Sequence, residues 1–166
     1  MNILSDEDLY AAITYARILN ETDGQAIVSN FHLEQPALAE TIFNMFPLVI
    51  AEKNQDMANF YLELCFDAVC VYQHAFGTAE PQTEDWLITQ MSNLETDFLA
   101  LKQDKNNIPK KNVVQTKFSD ILKESIDDYA SENSVRVPFI AMTQSMMLAT
   151  LNLLESLYKN EAKTVH

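Results

Sequence analysis

The sequence predicts an all-α protein, and three observations support this fold class. Only two glycines occur in 166 residues, apolar residues recur with the 3.6-residue period of helices, and no hairpin turn separates alternating apolar and polar runs. With 48% hydrophobic residues, a chain of this length can bury one sizeable core. We therefore expect residues 1–166 to form a single domain, an antiparallel bundle of five to six helices joined by short loops.

The first helix is predicted to begin after Ser5. Serine is a good N-cap because its hydroxyl accepts a hydrogen bond from a free backbone N–H group. Acidic residues follow in the first turn, where the helix dipole favours negative charge. Gly24 is expected to end this helix. Residues 25–34 fit either a short helix or an extended connection.

Proline and glycine set the limits of the next two predicted helices. Pro36 suits the first position of a second helix that extends to about Asn54. We expect this helix to be kinked or broken at Pro47, since proline lacks the N–H group that donates to the helical ladder. A third helix is predicted over about residues 55–76, and Gly77 is expected to end it.

Three helices are predicted in the remainder of the chain. The fourth, capped by Thr83, is expected to run to about Gln103. The stretch DKNNIPKKN, residues 104–112, contains proline and three lysines and is predicted to be a flexible loop. The fifth helix is expected over about residues 113–130 and the sixth over about residues 136–160.

The last predicted helix carries two apolar stripes, whereas a helix buried on one side needs only one. The first stripe contains Ile140, Met147, Leu151, Leu154 and Tyr158, and the second contains Phe139, Met142, Met146, Ala149, Leu153 and Leu157. Either this helix is central in the bundle, or one stripe faces a partner or a second copy of the chain. We favour the central position. In the second case the adaptable side chains of Met142 and Met146 are candidates for partner binding.

A polar stripe crosses the otherwise apolar third helix. It consists of four side chains that share one helix face at offsets of four, seven and eleven residues: Glu63, Asp67, Cys70 and His74. Carboxylate, thiolate and imidazole are ligands for zinc and iron, but the sequence supplies no second ligand cluster. Because Asp56 and Asn59 extend the line, we interpret the polar stripe as the solvent-facing side of the helix. A partner-binding or ligand-facing groove, a metal site and a Cys70–His74 thiolate pair are the alternatives.

Several functional classes are disfavoured by what the sequence lacks. Two glycines cannot build the glycine-rich loops that bind phosphates in nucleotide-binding folds. No motif pairs a nucleophile with a general base, so the pattern favours a non-enzymatic role. Cys65 and Cys70 are about 8 Å apart along one helix and cannot form a disulfide with each other. This cysteine usage and the polar N-terminus lead us to expect a cytoplasmic protein.

The net charge of −13 is concentrated in the N-terminal part of the chain. Residues 1–99 contain sixteen acidic and two basic residues, a net charge of −14, whereas residues 100–166 contain eight acidic and nine basic residues, a net charge of +1. Such a surface repels nucleic acids and anionic membranes and attracts cationic partners, or it serves solubility alone. The candidate partner-binding acids form two clusters: Asp6, Glu7, Asp8 and Glu84, Asp85. Five lysines are either solvated or fold back on the acidic half: Lys102, Lys105, Lys110, Lys111 and Lys117.

Two functions remain open on these grounds. The first, which we favour, is a non-enzymatic interaction protein that binds a basic protein partner, as immunity proteins, antitoxins, anti-factors and adaptors do. The second is a helical bundle that binds a small ligand or metal in its core, beside Cys70 and His74. With the first we expect no metal, no cofactor, no catalytic residue, and no binding to nucleic acid or membrane. A homodimer is compatible with either.

Overall fold

The computed structural model describes residues 1–103 and 113–159, and for residues 96–103 it describes the backbone alone. Only helices and their connections occur in this part of the chain, which confirms the all-α class. The described helices are α1 (Asp6–Ile18), α2 (Glu21–Glu34), α3 (Pro36–Glu40), α4 (Phe46–Ala51), α5 (Gln55–Phe76), α6 (Glu84–Gln103), α7 (Thr116–Glu132) and α8 (Val137–Ser156). A π-helical turn, Thr41–Met45, joins α3 to α4.

The N-terminal region contains two helices where one was predicted. Ser5 caps α1 as expected, its Oγ accepting a hydrogen bond from the Asp8 N–H group at 3.1 Å. The helix ends at Ile18, and Asn20 then caps α2 through a 2.8 Å hydrogen bond from the Asp23 N–H group.

Gly24 does not end a helix, so that prediction was wrong. It is buried in the first turn of α2, where a Cβ atom would lie 3.2 Å from Cζ of Phe66 on α5. The absence of a side chain therefore allows α2 to approach the Phe66 ring closely. Residues 25–34, which fitted either a helix or an extended connection, belong to α2.

Pro47 does not break the second predicted helix. Helical structure continues from Pro36 to Ala51, and the turn before the proline widens, with the Phe46 N–H group donating to the Thr41 carbonyl. Proline removes one ladder hydrogen bond and crowds the carbonyl four residues earlier. A π-helical turn just before Pro47 is a common way for a helix to accommodate such a disturbance.

Helices α5 and α6 have the predicted bounds. Asn54 caps α5, and Gly77, with a φ of 81°, ends it in a conformation that other residues rarely adopt. Thr83 caps α6 by accepting a hydrogen bond from the Trp86 N–H group at 3.2 Å. Local capping chemistry was therefore sufficient to locate these helix ends.

Helices α7 and α8 are slightly shorter than predicted. Residues 113–115 precede α7 without joining it, and the backbone N–H groups of Val114 and Gln115 donate to the Glu155 side chain of α8. Arg136 is the N-cap residue of α8, which ends at Ser156. The predicted loop at residues 104–112 and the predicted helix end at Asn160 lie outside the described residues.

Helices α5 and α8 form the centre of the fold. Helix α5 packs against α1, α4 and α8, and α8 also packs against α4, α6 and α7. Helix α8 therefore has neighbours on several sides, as expected for a central helix. By length and composition alone α8 could span a membrane, but central helices of packed domains have the same properties.

Candidate functional site

A large apolar groove lies between three helical segments of the described structure. It has a volume of about 760 Å³ and three walls. The π-helical turn and the start of α4 form one wall, the first three turns of α6 form the second, and the middle of α8 forms the third. We call it the methionine groove because each wall contributes one methionine, Met45, Met91 and Met146. Most of the remaining lining atoms are also apolar, so the surface is suited to apolar side chains.

The spacing of residues on α6 builds one wall. Glu84, Leu87, Ile88, Met91 and Glu95 line the groove, and their offsets of three, four, seven and eleven place them on one helix face. The apolar side chains Leu87, Ile88 and Met91 lie between the two glutamates on this face. The described part of the wall is therefore apolar, with a negative charge before and after the apolar residues.

The groove is open to solvent. Ile88 on α6 is 59% exposed, and Met45 on the opposite wall is 55% exposed. Leu48 and Val49, in the turn of α4 that follows Met45, are also exposed. Large apolar side chains that remain exposed next to a groove are typical of a binding surface.

A buried glutamine holds the connection that leads into α6. The Gln35 side chain donates from Nε2 to the Glu80 carbonyl at 2.8 Å and accepts from the Gln82 N–H group at 3.1 Å on Oε1. Both contacts precede α6 directly, and Thr83 then caps the helix. Gln35 and Thr83 together fix where the α6 wall begins.

Two of the seven predicted partner-binding residues line the methionine groove. These are Glu84 and Met146. Asp85 is exposed beside Glu84, whereas Met142, one turn before Met146, is half-buried and is not among the lining residues. The sequence therefore identified Glu84 on the α6 wall and Met146 on the α8 wall.

The acidic cluster at the start of α1 lies on a different element. Asp6, Glu7 and Asp8 are all exposed. Asp6 forms an ion pair with Lys117 of α7 at 2.6 Å, and the Lys117 ammonium lies 5.2 Å from the centre of the Tyr10 ring. One predicted lysine thus does contact the acidic half, from the first turn of α7. The other four predicted lysines have no described side chain.

The polar stripe of α5 is only partly exposed. Glu63 and His74 are exposed, Asp67 is half-buried and Cys70 is buried. The imidazole of His74 stacks on the Tyr15 ring of α1, with ring centres 4.4 Å apart. The polar stripe was interpreted as the solvent-facing side of the helix. This interpretation is wrong for Cys70 and holds for Glu63 and His74, at the two ends of the stripe.

Burial changes the acid–base properties within the stripe. It raises the pKa of the Cys70 thiol to about 12, with the nearby Asp67 charge contributing. Burial also raises the pKa of Asp67, although attraction to Arg17 partly offsets the increase. A thiol with such a pKa is protonated at neutral pH, which is the opposite of what a Cys70–His74 thiolate pair requires.

A second depression lies beside the N-terminal end of the stripe, at Glu63 and Asp67. It has a volume of about 650 Å³, and its charged lining residues are Arg17, Glu63 and Asp67. Among the described side chains, no group of three His, Cys, Asp or Glu residues is arranged to hold a metal ion. The depression therefore presents one cation and two acids without a set of metal ligands.

Sequence reasoning missed most of the methionine groove and one buried acid. Met45, Ile88 and Met91 carry no signal of exposure, because helical spacing marks an apolar face without showing what covers it. Glu155 did have a signal, since it is the single charged residue within the apolar run of α8. It is fully buried and accepts hydrogen bonds from residues of two other segments.

Comparisons of the chain with protein-family models, with curated proteins and with solved structures find no match.

Proposed function

We propose that this protein is a non-enzymatic interaction protein that binds a basic protein partner. The observation that carries the proposal is the methionine groove, which is apolar, open to solvent and lined by Glu84 and Glu95, with no basic side chain among its described lining residues. Methionine side chains adapt to different apolar surfaces, and carboxylates at the ends of an apolar groove favour a cationic partner. The proposal covers immunity-, antitoxin-, anti-factor- and adaptor-like functions.

The distribution of charge supports the same proposal. Residues 1–99, which supply the α4 and α6 walls, have a net charge of −14. Glu84, Asp85 and Glu95 are exposed, so their charges reach solvent. A field of this sign raises the rate at which cationic partners collide with the surface and lowers the rate for anionic ones.

The alternative, a small ligand or metal in the core beside Cys70 and His74, has less support. Cys70 is buried with a protonated thiol, and His74 stacks on Tyr15 at the surface. Neither residue lines the methionine groove or the depression beside Arg17. A metal analysis of the purified protein provides a direct test of this alternative.

The test is an affinity capture from extract with variants matched in charge. The Glu84→Gln/Asp85→Asn variant removes two charges at the groove, and the control Glu124→Gln/Asp128→Asn removes two exposed charges on α7. We expect the wild-type protein and the α7 control to capture the same basic protein, and the groove variant to capture much less of it. The captured proteins are identified and quantified by mass spectrometry.

A captured partner must then bind directly as a purified protein. We expect its affinity to fall as salt rises through the physiological range, where charges are screened over about 8 Å. A direct partner without a basic surface, or one that the groove variant and the α7 control bind equally well, would contradict the proposal.

A further inference from the structure

We infer that the methionine groove receives an amphipathic helix of the partner, with apolar residues on one face and lysine or arginine at its ends. This inference rests on the proposed function and names the form of the partner. Its basis is the shape, length and charge of the groove.

The described part of the groove is long enough for a short helix. Its described lining residues on α6 extend from Glu84 to Glu95, which is about 16 Å at a rise of about 1.5 Å per residue. A partner helix of about three turns covers this length and presents apolar residues at positions i, i+4, i+7 and i+11. With walls contributed by three helical segments, the groove is a trough into which a fourth helix can pack.

Other common forms of peptide recognition fit less well. An extended peptide binds by adding a strand to a sheet edge, and the described residues contain no strand. Proline-rich peptides bind between aromatic side chains, but Phe46 is the single aromatic residue among those that line the groove. A helix needs only the apolar surface that the groove provides.

Charge distinguishes a basic partner from a second copy of this chain. Glu84 and Glu95 are eleven residues apart and lie on either side of the apolar residues of the described α6 wall. Basic residues about three turns apart on the partner helix match them in sign and spacing. A second copy carries a net charge of −13 and would bring like charges together. The occupant is therefore a basic helix from a different protein.

The test uses a synthetic 18-residue peptide with leucine at helical spacing on one face and lysine elsewhere. The protein is labelled with ¹³C at the methionine methyl groups, which provides seven signals. We expect the signals of Met45, Met91 and Met146 to shift on binding. The signals of Met57 and Met147, which are buried in the core, serve as internal controls and should remain in place.

A matched pair of variants tests whether the apolar contact holds the peptide. Ile88→Gln changes an exposed residue of the groove, and Leu33→Gln changes an 81% exposed residue of α2. Since centrally placed apolar contacts dominate binding energy, we expect Ile88→Gln to weaken binding by roughly tenfold and Leu33→Gln to leave it unchanged. A scrambled peptide of the same composition, which has no apolar face, should bind at least tenfold more weakly.

Failure of this inference is distinguishable from failure of the proposed function. If the lysine peptide binds without shifting the three groove signals, the helix-in-groove inference is overturned while binding of a basic partner stands. If a peptide with glutamine in place of lysine binds the groove equally tightly, the helix inference stands and the basic partner is contradicted. If no peptide binds, or the groove signals shift with protein concentration alone, the inference is overturned.

Discussion

Glu155 shows how one side chain can join three segments of the fold. It is 0% exposed, and its carboxylate accepts hydrogen bonds from the Tyr72 hydroxyl at 2.6 Å, the Val114 N–H group at 2.6 Å and the Gln115 N–H group at 3.1 Å. A buried carboxylate is tolerated when donors replace the lost water. These three donors connect α8 to α5 and to the residues that precede α7.

We predict that Glu155→Ala lowers the free energy of unfolding by at least about 3 kcal/mol, because it leaves buried donors without an acceptor. Tyr72→Phe removes a single donor and should cost about 1–2 kcal/mol. Urea unfolding followed by circular dichroism measures both variants. Glu155→Gln, which keeps one acceptor oxygen, should fall between them. Equal losses for Glu155→Ala and Tyr72→Phe would show that the backbone hydrogen bonds contribute little.

Because of Asp67, the stability of the protein is expected to depend on pH in a defined direction. Burial raises its pKa above the ordinary value of 3.8, so the folded protein disfavours the charged carboxylate. Stability contributed by this residue is therefore highest below pH 3.8 and declines as the pH rises through the raised folded pKa. We expect Asp67→Asn to be more stable than the wild-type protein at neutral pH and equally stable at acidic pH, as measured by thermal unfolding.

The control for Asp67 must account for the overall acidity of the protein. Removal of any negative charge from a chain with a net charge of −13 relieves repulsion. Asp128→Asn removes the same charge from an exposed position on α7. The stabilisation by Asp67→Asn should exceed that by Asp128→Asn at neutral pH. Equal effects would mean that net charge, and not the burial of Asp67, accounts for the change.

At the scale of helices and their connections, two buried glutamines each hold a segment that precedes a helix. Gln35 bonds to the backbone of residues 80 and 82 before α6, and Gln115 bonds to the backbone of residues 2 and 4 before α1. In each case the side-chain amide donates to one carbonyl and accepts from one N–H group, as a neighbouring strand would. Each glutamine thus fixes a connection that has no regular structure of its own.

We predict that Gln35→Leu and Gln115→Leu each lower the free energy of unfolding by about 1–3 kcal/mol, because the paired backbone groups lose their partners. The two variants are controls for each other in hydrogen exchange measured by NMR. Gln35→Leu should speed exchange at the Gln82 amide and leave the Leu4 amide unchanged, and Gln115→Leu should do the reverse. Faster exchange at both amides in either variant would indicate general destabilisation and contradict local anchoring.

At the scale of the whole molecule, charge and packing would have separate roles in the proposed binding. Exposed acids act at a distance and mainly affect how fast a partner arrives, whereas apolar contacts form after arrival and affect how long it stays. We propose that the exposed acids Glu84 and Asp85 have the first role and that the groove residue Met146 has the second.

For the leucine–lysine peptide, we predict that Glu84→Gln/Asp85→Asn slows association more than it speeds dissociation, and that added salt has the same effect. Met146→Ala should speed dissociation instead. Met142→Ala is its control, since Met142 lies one turn away and is not among the lining residues. Stopped-flow fluorescence measures both rates. Association rates that do not depend on salt would indicate that the acidic surface serves solubility alone.

The sequence by itself determined the fold class and most helix ends. Ser5, Gly77 and Thr83 act on their own helix ends through local hydrogen bonds and backbone conformation, so their effects can be predicted without the rest of the chain. The two apolar stripes of α8 favoured its central position but left open that one stripe faces a partner. The uneven distribution of charge along the chain can be counted directly from the sequence.

Only the tertiary structure decided where residues distant in sequence meet. Gly24 has the sequence pattern of a helix terminator, but its role depends on contact with Phe66. Cys70 and Glu155 are buried because other helices cover them. The methionine groove depends on three segments whose apolar faces look alike in sequence, whether packed or exposed. Periodicity identifies an apolar face, but the neighbours that cover or expose it are set by long-range packing.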